Sequence, residues 1–433
     1  MIFFFRSGFA QNSYIAGSLQ KGEEVEFMDS RKVRSRSGWK TVLFITAVSL
    51  FCGISLFSWP VPGAEAQLAG KEVLLGATWG LTGMWRDYTT KNVIAAQIAV
   101  EAINAAGGIK GVPLRLITYD TGGNPMEATR MLRKLAADDK VLGIIGPFST
   151  SEAEVTFPVA NNLRIIMISQ ASSKPGLAKQ HRPYAFRNTI DEIEMGKVAV
   201  KYFMTKYNVK KVAVVHDVKD AIGLVLGSQV LPTIFKKLGA TVVNDGNFIT
   251  YQTNDFDMRP QVTKLKGMDF DGVAFGGVYY DAITFMKELR RQGMKQPLVG
   301  GSPFMNEYFP TRGGADAEGT CAPCTFHHSI APGKFVAEFV RRAKEKGFDP
   351  PEPIMYDANV YDSVFFLKYV IEKMGVTNRP EDLAQDRERI MKGLSTIKDF
   401  KGIVGPVAFN EDGDADKPVF VAEIKSGGWL IHR

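Results

Sequence analysis

The chain has 433 residues, 45% hydrophobic, 23% charged and 11% aromatic, with a formal net charge of +7. These proportions exclude a disordered chain, a fibrous repeat, a disulfide-dense miniprotein and a polytopic membrane protein. The length calls for two lobes or domains rather than one core, and the dispersed Lys and Arg residues give no reason to expect a nucleic-acid partner.

At the N-terminus, the basic run from Arg31 to Lys40 precedes nineteen uncharged residues, 41–59. Pro60-Val61-Pro62-Gly63 and Ala64-Glu65-Ala66 follow. A basic region, an apolar region and a small-x-small site are the three parts of a secretory signal peptide. An uncleaved anchor is the competing reading, because nineteen uncharged residues just span a bilayer. The helix breakers and the Ala-x-Ala site favour cleavage after Ala66. Residues 28–66 are therefore expected to be a signal peptide and 1–27 an extension upstream of the true start at Met28. Removing 1–66 takes away seven basic and five acidic side chains and leaves +5 over 367 residues, too mild an excess to imply a polyanionic partner.

Cys52 falls inside that leader, and no lipobox precedes it, since Leu50 and Phe51 are too bulky. The remaining cysteines form Cys321-Ala-Pro-Cys324. In an oxidising compartment a disulfide is the first expectation and free thiols the second. A metal site with His327 and His328 ranks third, because four ligands within eight residues of extended chain converge poorly. A thioredoxin-like pair needs the motif to open a helix, and here it sits in an expected strand.

From there the chain alternates strand and helix. Short apolar runs at 73–76, 114–119, 141–146, 165–169, 212–215, 272–276 and 297–300 suit strands buried on both faces of a parallel sheet. Between them, Ile94-Ile98-Ala102 and Val93-Gln97-Val100-Ile103 carry helical spacing, as do 126–137 and 195–207. The expected class is α/β with parallel sheets, functional residues lying in loops after the strand C-termini. Three such loops carry hydroxyls and aromatics: 77–88, 147–152 with Phe148-Ser149-Thr150, and 170–175 with Ser172-Ser173. Helix N-termini with Ser/Thr hydroxyls hold a carboxylate without a buried counter-charge. Ser149-Thr150-Ser151-Glu152 also reads as an N-cap, and the two roles are compatible. Gly107-Gly108-Ile109-Lys110-Gly111 follows a helix and precedes a strand, the wrong order for a dinucleotide fingerprint, so it reads as a helix C-cap and turn. His216-Asp217 reads as a structural pair. No Walker, G-x-S-x-G, H-E-x-x-H or Ser/His/Asp arrangement is present, so neither an enzyme nor a cofactor is expected.

Taken together, Ala105-Ala-Gly-Gly-Ile-Lys-Gly-Val112 with 114–120, Ile144-Ile-Gly-Pro-Phe-Ser149, Ile166-Met-Ile-Ser169, Val214-Val-His-Asp217, Ala317-Glu-Gly319 and 405–413 resemble the branched-chain amino-acid-type binding proteins of ABC transporters. The resemblance covers nearly all of the chain after the leader. It implies the type I periplasmic-binding-protein fold: two α/β lobes, 71–190 with 325–403 and 191–324 with 404–433, joined by three crossovers and closing on a solute like a flytrap. It also implies a periplasmic monomer that delivers a small molecule to inner-membrane permease and ATPase subunits. Carried over by position, Tyr88 packs on the ligand and Phe148 belongs to the second loop. Thr150 meets the ligand carboxylate, Ser172 and Ser173 bind the same end, and Val278, Tyr279 and Tyr280 form an aromatic loop of the second lobe.

Two positions depart from that pattern. Ser302 stands where amino-acid binders carry an acid for the ammonium, and Ala221 or Ile222 replaces an aromatic. Losing a buried anionic partner costs a charged ammonium roughly 2–5 kcal/mol. The expectation is therefore a small carboxylate-bearing solute, an aromatic or apolar acid, for which Trp79, Trp85, Tyr88, Phe148, Tyr279 and Tyr280 are suited. The alternatives are a branched-chain or other amino acid or an amide, with Asp281 or Asp217 supplying the acid, or a ligand-sensing ectodomain. No metal is expected.

Overall fold

A computed structural model describes residues 68–432. The leader 28–66, the extension 1–27 and Cys52 lie outside the described residues. Among the described residues, no helix is long and apolar enough to cross a membrane.

The first five strands are β1 (Val73–Trp79), β2 (Leu114–Asp120), β3 (Ile144–Ile145), β4 (Met167–Ser169) and β5 (Ala185–Arg187). They form one parallel sheet in the order β2-β1-β3-β4-β5. All residues of β3, β4 and β5 are buried, as expected for strands covered by helices on both faces. The chain then builds β6 (Lys211–Asp217), β7 (Thr241–Val242), β8 (Ile249–Tyr251), β9 (Gly272–Gly276), β10 (Leu298–Gly300) and β11 (Cys321–Cys324). β12 (Phe400–Gly402), β13 (Gly405–Phe409) and β14 (Ala415–Asp416) form a small antiparallel sheet of their own. β15 (Phe420–Lys425) and β16 (Gly428–His432) complete the second large sheet, β16-β15-β11-β10-β9-β6-β7, with β8 also beside β6. Its β7-β6-β9-β10-β11 portion is parallel and repeats the connectivity of the first sheet.

That connectivity positions the site. In each sheet the chain first steps to one side, β1 to β2 or β6 to β7, then crosses to the other, to β3 or β9. The crevice at such a reversal is where open α/β sheets bind ligands. In the first sheet it lies between the loops that follow β1 and β3, and in the second between those that follow β6 and β9.

Helix 92–105 buries Ile94, Ala95, Ile98, Ala99 and Ile103, packing chiefly on helix Met355–Lys373. The stripe differs from the one expected, because Gln97 and Ala102 face solvent. Gly107 and Gly108 end this helix with φ of 96° and 79°, and their N–H groups donate to the carbonyls of Asn104 and Ile103. The Gly-rich segment is thus the C-cap and turn read from its order in the chain.

The expected disulfide is not formed. Cys321 and Cys324 are free and buried. Three steps along an extended strand separate their Cα atoms by about 10 Å, beyond the roughly 7 Å that a disulfide bridges. An odd separation also sends the two side chains to opposite faces. Cys321 belongs to the core cluster of Val212 and Phe203, whereas Cys324 belongs to a different one. Burial pushes the Cys324 thiol up to about 12 and raises that of Cys321 as well, so both behave as apolar core residues.

Candidate functional site

The loops after β1, β3 and β4 converge. Tyr88, Phe148, Ser149, Thr150, Ser172 and Ser173 line one cavity together with Trp85, Ala171, Ile222, Pro303 and Tyr356. Its volume is about 20 Å³, room for a single water. Ile222, in the short helix Ala221–Val225 after β6, and Pro303, in the turn after β10, belong to the second sheet's connections, so the cavity lies between the two sheets.

The polar wall is built by helix Thr150–Asn162. Ser149 is its N-cap and forms a capping box with Glu152: the Ser149 hydroxyl donates to Oε2 of Glu152 (2.6 Å), and the Ser149 N–H donates to the same oxygen (3.1 Å). The Thr121 hydroxyl donates to the other Glu152 oxygen. Glu152 is fully buried, and burial raises its pKa against these stabilising bonds. The Ser149 hydroxyl is therefore committed to the cap, while the hydroxyl of Thr150 meets only that of Ser172, at 3.4 Å. The first N–H groups of a helix have no intrahelical partner and carry a positive partial charge. Thr150, Ser172 and this helix end together present hydroxyls and positive partial charge to the cavity.

The third loop is held by a buried cation absent from the sequence reading. Arg187, at the end of β5, is fully buried. Its guanidinium donates to both Asp414 oxygens at 2.5 Å and to the carbonyls of Lys174 (2.6 Å) and Ser172 (3.2 Å). The fork shape of the side chain lets one charge fix the loop and neutralise Asp414 at once.

The apolar wall is aromatic. Tyr88 lies with its ring centroid 5.5 Å from Phe148, 5.4 Å from Tyr279 and 6.0 Å from Tyr356. Its hydroxyl donates to the carbonyl of Pro303 at 2.6 Å. Tyr356 donates to the carbonyl of Ser302 at 2.9 Å, and Tyr279 to Asp87 at 2.8 Å. Of the residues expected in the second lobe, Val278, Tyr279, Tyr280 and Ser302 do not line the cavity. Val278 is the buried N-cap residue of helix Tyr279–Arg291, and Tyr279 and Ser302 stand behind Tyr88 and Tyr356.

Ser302 has an acidic neighbour. Glu192, the first residue of helix Glu192–Tyr207, is fully buried. It accepts hydrogen bonds from the Ser173 hydroxyl (2.9 Å), the Ser302 N–H (3.2 Å) and the Ser302 hydroxyl. Burial pushes its pKa up to about 7 against these bonds. It joins a serine of the third loop to one of the loop after β10. The Asp191-Glu192 pair reads as an ordinary helix start, so only the fold reveals its place beside Ser302. Asp217, Asp220 and Asp281 gather at the reversal of the second sheet. Burial, with the charges of Asp217 and Asp220 adding to it, pushes Asp281 up to about 8. The pairing expected at His216-Asp217 is through the backbone, His216 Nδ1 lying 2.8 Å from the Asp217 carbonyl. The Asp217 carboxylate instead accepts from Lys219, Asp220 and Thr253.

A family model described as a periplasmic binding protein matches residues 72–428. The chain belongs to that family. It resembles substrate-binding proteins of the branched-chain amino-acid ABC transporter type. A protein called Leu/Ile/Val-binding protein homolog 3, from Brucella melitensis, is 27% identical over 82% of this chain and 92% of its own. The isoleucine complex of a branched-chain amino acid transporter substrate-binding protein from Streptococcus pneumoniae superposes with a TM-score of 0.72 at 25% identity, covering 83% of this chain and 99% of that one. A solute-binding protein from R. palustris in complex with benzoate shares the fold, with a TM-score of 0.70 at 16% identity, over 83% of this chain and 95% of its own. This binding protein thus has the fold and family of proteins that capture solutes rather than transform them, and its transport role implies permease and ATPase partners.

Proposed function

We propose that the cavity between the two sheets captures a small carboxylate-bearing solute for an ABC importer, and that the solute is an amino acid. The observation carrying this reading is Thr150 at the first position of a capped helix, facing Ser172 across the cavity. The carboxylate sits on the Thr150 and Ser172 hydroxyls and the helix N–H groups. The ammonium lies toward Glu192, which occupies the region where Ser302 had left no acid, and an ammonium there favours the ionised carboxylate. The side chain packs on Tyr88, Phe148 and Tyr356. The names of the relatives, which specify leucine, isoleucine and valine, agree with this choice over an acid lacking an amine.

A cavity of this volume admits an amino acid only after Tyr88 and Pro303 separate, so capture proceeds by lobe opening and reclosure. The lobes are proposed as 71–190 with 325–403 and 191–324 with 404–433, adjusted so that 405–416 joins the first. The Arg187–Asp414 pair ties that segment to β5, and Phe409 lies on Phe366 and Phe186. The protein works as a periplasmic monomer after removal of its leader.

Isothermal titration of the purified protein with leucine, 4-methylpentanoate, leucinamide and benzoate tests the proposal. Binding of leucine together with loss of binding by leucinamide supports it. Binding of 4-methylpentanoate or benzoate without leucine restores the amine-free acid as the ligand, and binding of leucinamide alone overturns the carboxylate site.

A further inference from the structure

β10 and β11 are neighbours in the second sheet, and the loops that follow them bring Glu307, His327 and His328 together. Their ligand atoms lie within 4.8 Å of one another. Glu307 Oε1 is 3.2 Å from His327 Nε2 and 3.7 Å from His328 Nε2. A tetrahedral ion with ligands at about 2.0–2.1 Å spaces them about 3.3 Å apart. Adjacent residues of a strand point to opposite faces, but the strand ends at Cys324, and the Ile330 N–H donates to the His327 carbonyl in a turn. Both imidazoles therefore fall on one side, their ring centroids 4.1 Å apart.

The second observation is His327 itself. Its side chain is 5% exposed, and Nε2 makes no hydrogen bond despite the nearby Glu307 oxygen. Its N–H direction does not point at that oxygen. A buried ring nitrogen thus lies beside the Glu307 carboxylate without a formed hydrogen bond. The opposite nitrogen, Nδ1, lies 2.7 Å from the Ser329 hydroxyl and accepts from the Ser329 N–H at 3.2 Å. For Nε2 to present a lone pair, Nδ1 must carry the proton and donate to the Ser329 hydroxyl, and the Ser329 N–H then gives up its bond to Nδ1. Metal-ligating histidines are oriented by a second-nitrogen bond of this kind. His328 is 27% exposed, which gives an ion a path to the trio.

We infer that Glu307, His327 and His328 form a binding site for a divalent transition-metal ion of the zinc class, separate from the solute cavity. One carboxylate and two imidazoles suit a borderline ion better than calcium or magnesium, which take all-oxygen sets. Cys321 and Cys324 take no part, because the strand buries them in the core. Lys91 lies within electrostatic range of Glu307, so its positive charge is the feature that opposes binding.

The test is titration of chelator-treated full-length protein with ZnCl2, followed by a competing chromophoric chelator, alongside Glu307→Gln and His328→Asn. A second readout is the visible absorption of bound Co²⁺, whose intensity separates four- from six-coordinate sites. The inference predicts saturation at one equivalent, a four-coordinate Co²⁺ spectrum and at least tenfold weaker binding in each variant. A His432→Asn variant leaves binding unchanged. Should Glu307→Gln fail to fold, the part-exposed His328→Asn decides alone. Absence of a one-equivalent site, or zinc binding undiminished in His328→Asn, overturns the inference. Leucine titration of the same variants keeps this test independent of the solute proposal.

Discussion

The hydroxyl of Tyr88 donates to the carbonyl of Pro303 across 2.6 Å, and both groups are buried. Tyr88 belongs to the loop after β1 of the first sheet, Pro303 to the loop after β10 of the second. The same hydroxyl accepts from the Tyr279 N–H at 3.4 Å, so one side chain binds two loops of the opposite sheet. Tyr88→Phe keeps the ring and leaves the Pro303 carbonyl unpartnered in the closed arrangement. The expected cost is about 1–3 kcal/mol of closure, read as roughly 5- to 150-fold weaker leucine binding. Calorimetric affinities of the two proteins check this.

Arg187→Met is expected to destabilise far more than it weakens binding. Removing one member of a buried ion pair leaves the other charge uncompensated, at a cost of about 3–5 kcal/mol. Here the charge left behind is that of Asp414, and the loop carbonyls of Ser172 and Lys174 lose their donor as well. Urea unfolding should show a lower midpoint with an unchanged slope. The double variant Arg187→Met/Asp414→Leu recovers part of the loss.

Glu192 gives the stability a pH dependence of known sign. Its folded-state pKa of about 7 lies above the ordinary carboxylate value of 4.5. The native state therefore holds this proton more tightly than the unfolded chain. The stabilising contribution is full below about pH 4.5 and is lost as the pH rises through about 7. At about 1.4 kcal/mol per unit, the loss reaches about 3 kcal/mol. Glu192→Gln keeps an acceptor for Ser173 and Ser302 without the charge. Between pH 5 and 8 its melting temperature should fall less than that of the native sequence. Leucine binding near pH 7 should release a proton in the native protein and none in the variant, which calorimetry in buffers of different ionisation enthalpy measures.

Cys321 and Cys324 should titrate as two free thiols after denaturation without reductant and resist modification in the native protein. Their burial and raised pKa values remove the thiolate that reacts. A mass two hydrogens lower after non-reducing digestion would establish the disulfide instead.

Local pattern made the parallel sheets and the first-sheet loops legible. Apolar runs mark the strands, and the loops after β1, β3 and β4 do assemble Tyr88, Phe148, Thr150, Ser172 and Ser173 on one cavity. Short strands such as β5, β7 and β8 carry too few residues for a period to show. Arg187, Glu192 and Tyr356 gain their places only from partners far along the chain: Asp414, Ser302 and again Ser302. The C-x-x-C spacing suggested a bridge until the strand geometry placed its two sulfurs on opposite faces. Ser149 carries both capping and cavity-lining character, and Glu152 takes its hydroxyl.

The most direct measurement of the central claim is the leucine affinity of Thr150→Ala beside that of Thr150→Ser. The carboxylate site predicts about 1–3 kcal/mol of lost binding for alanine, most of it restored by the serine hydroxyl, with the fold and melting temperature of the free protein little changed. Equal affinity of the native and alanine proteins for a solute that both bind would contradict the assignment of Thr150 as its carboxylate partner.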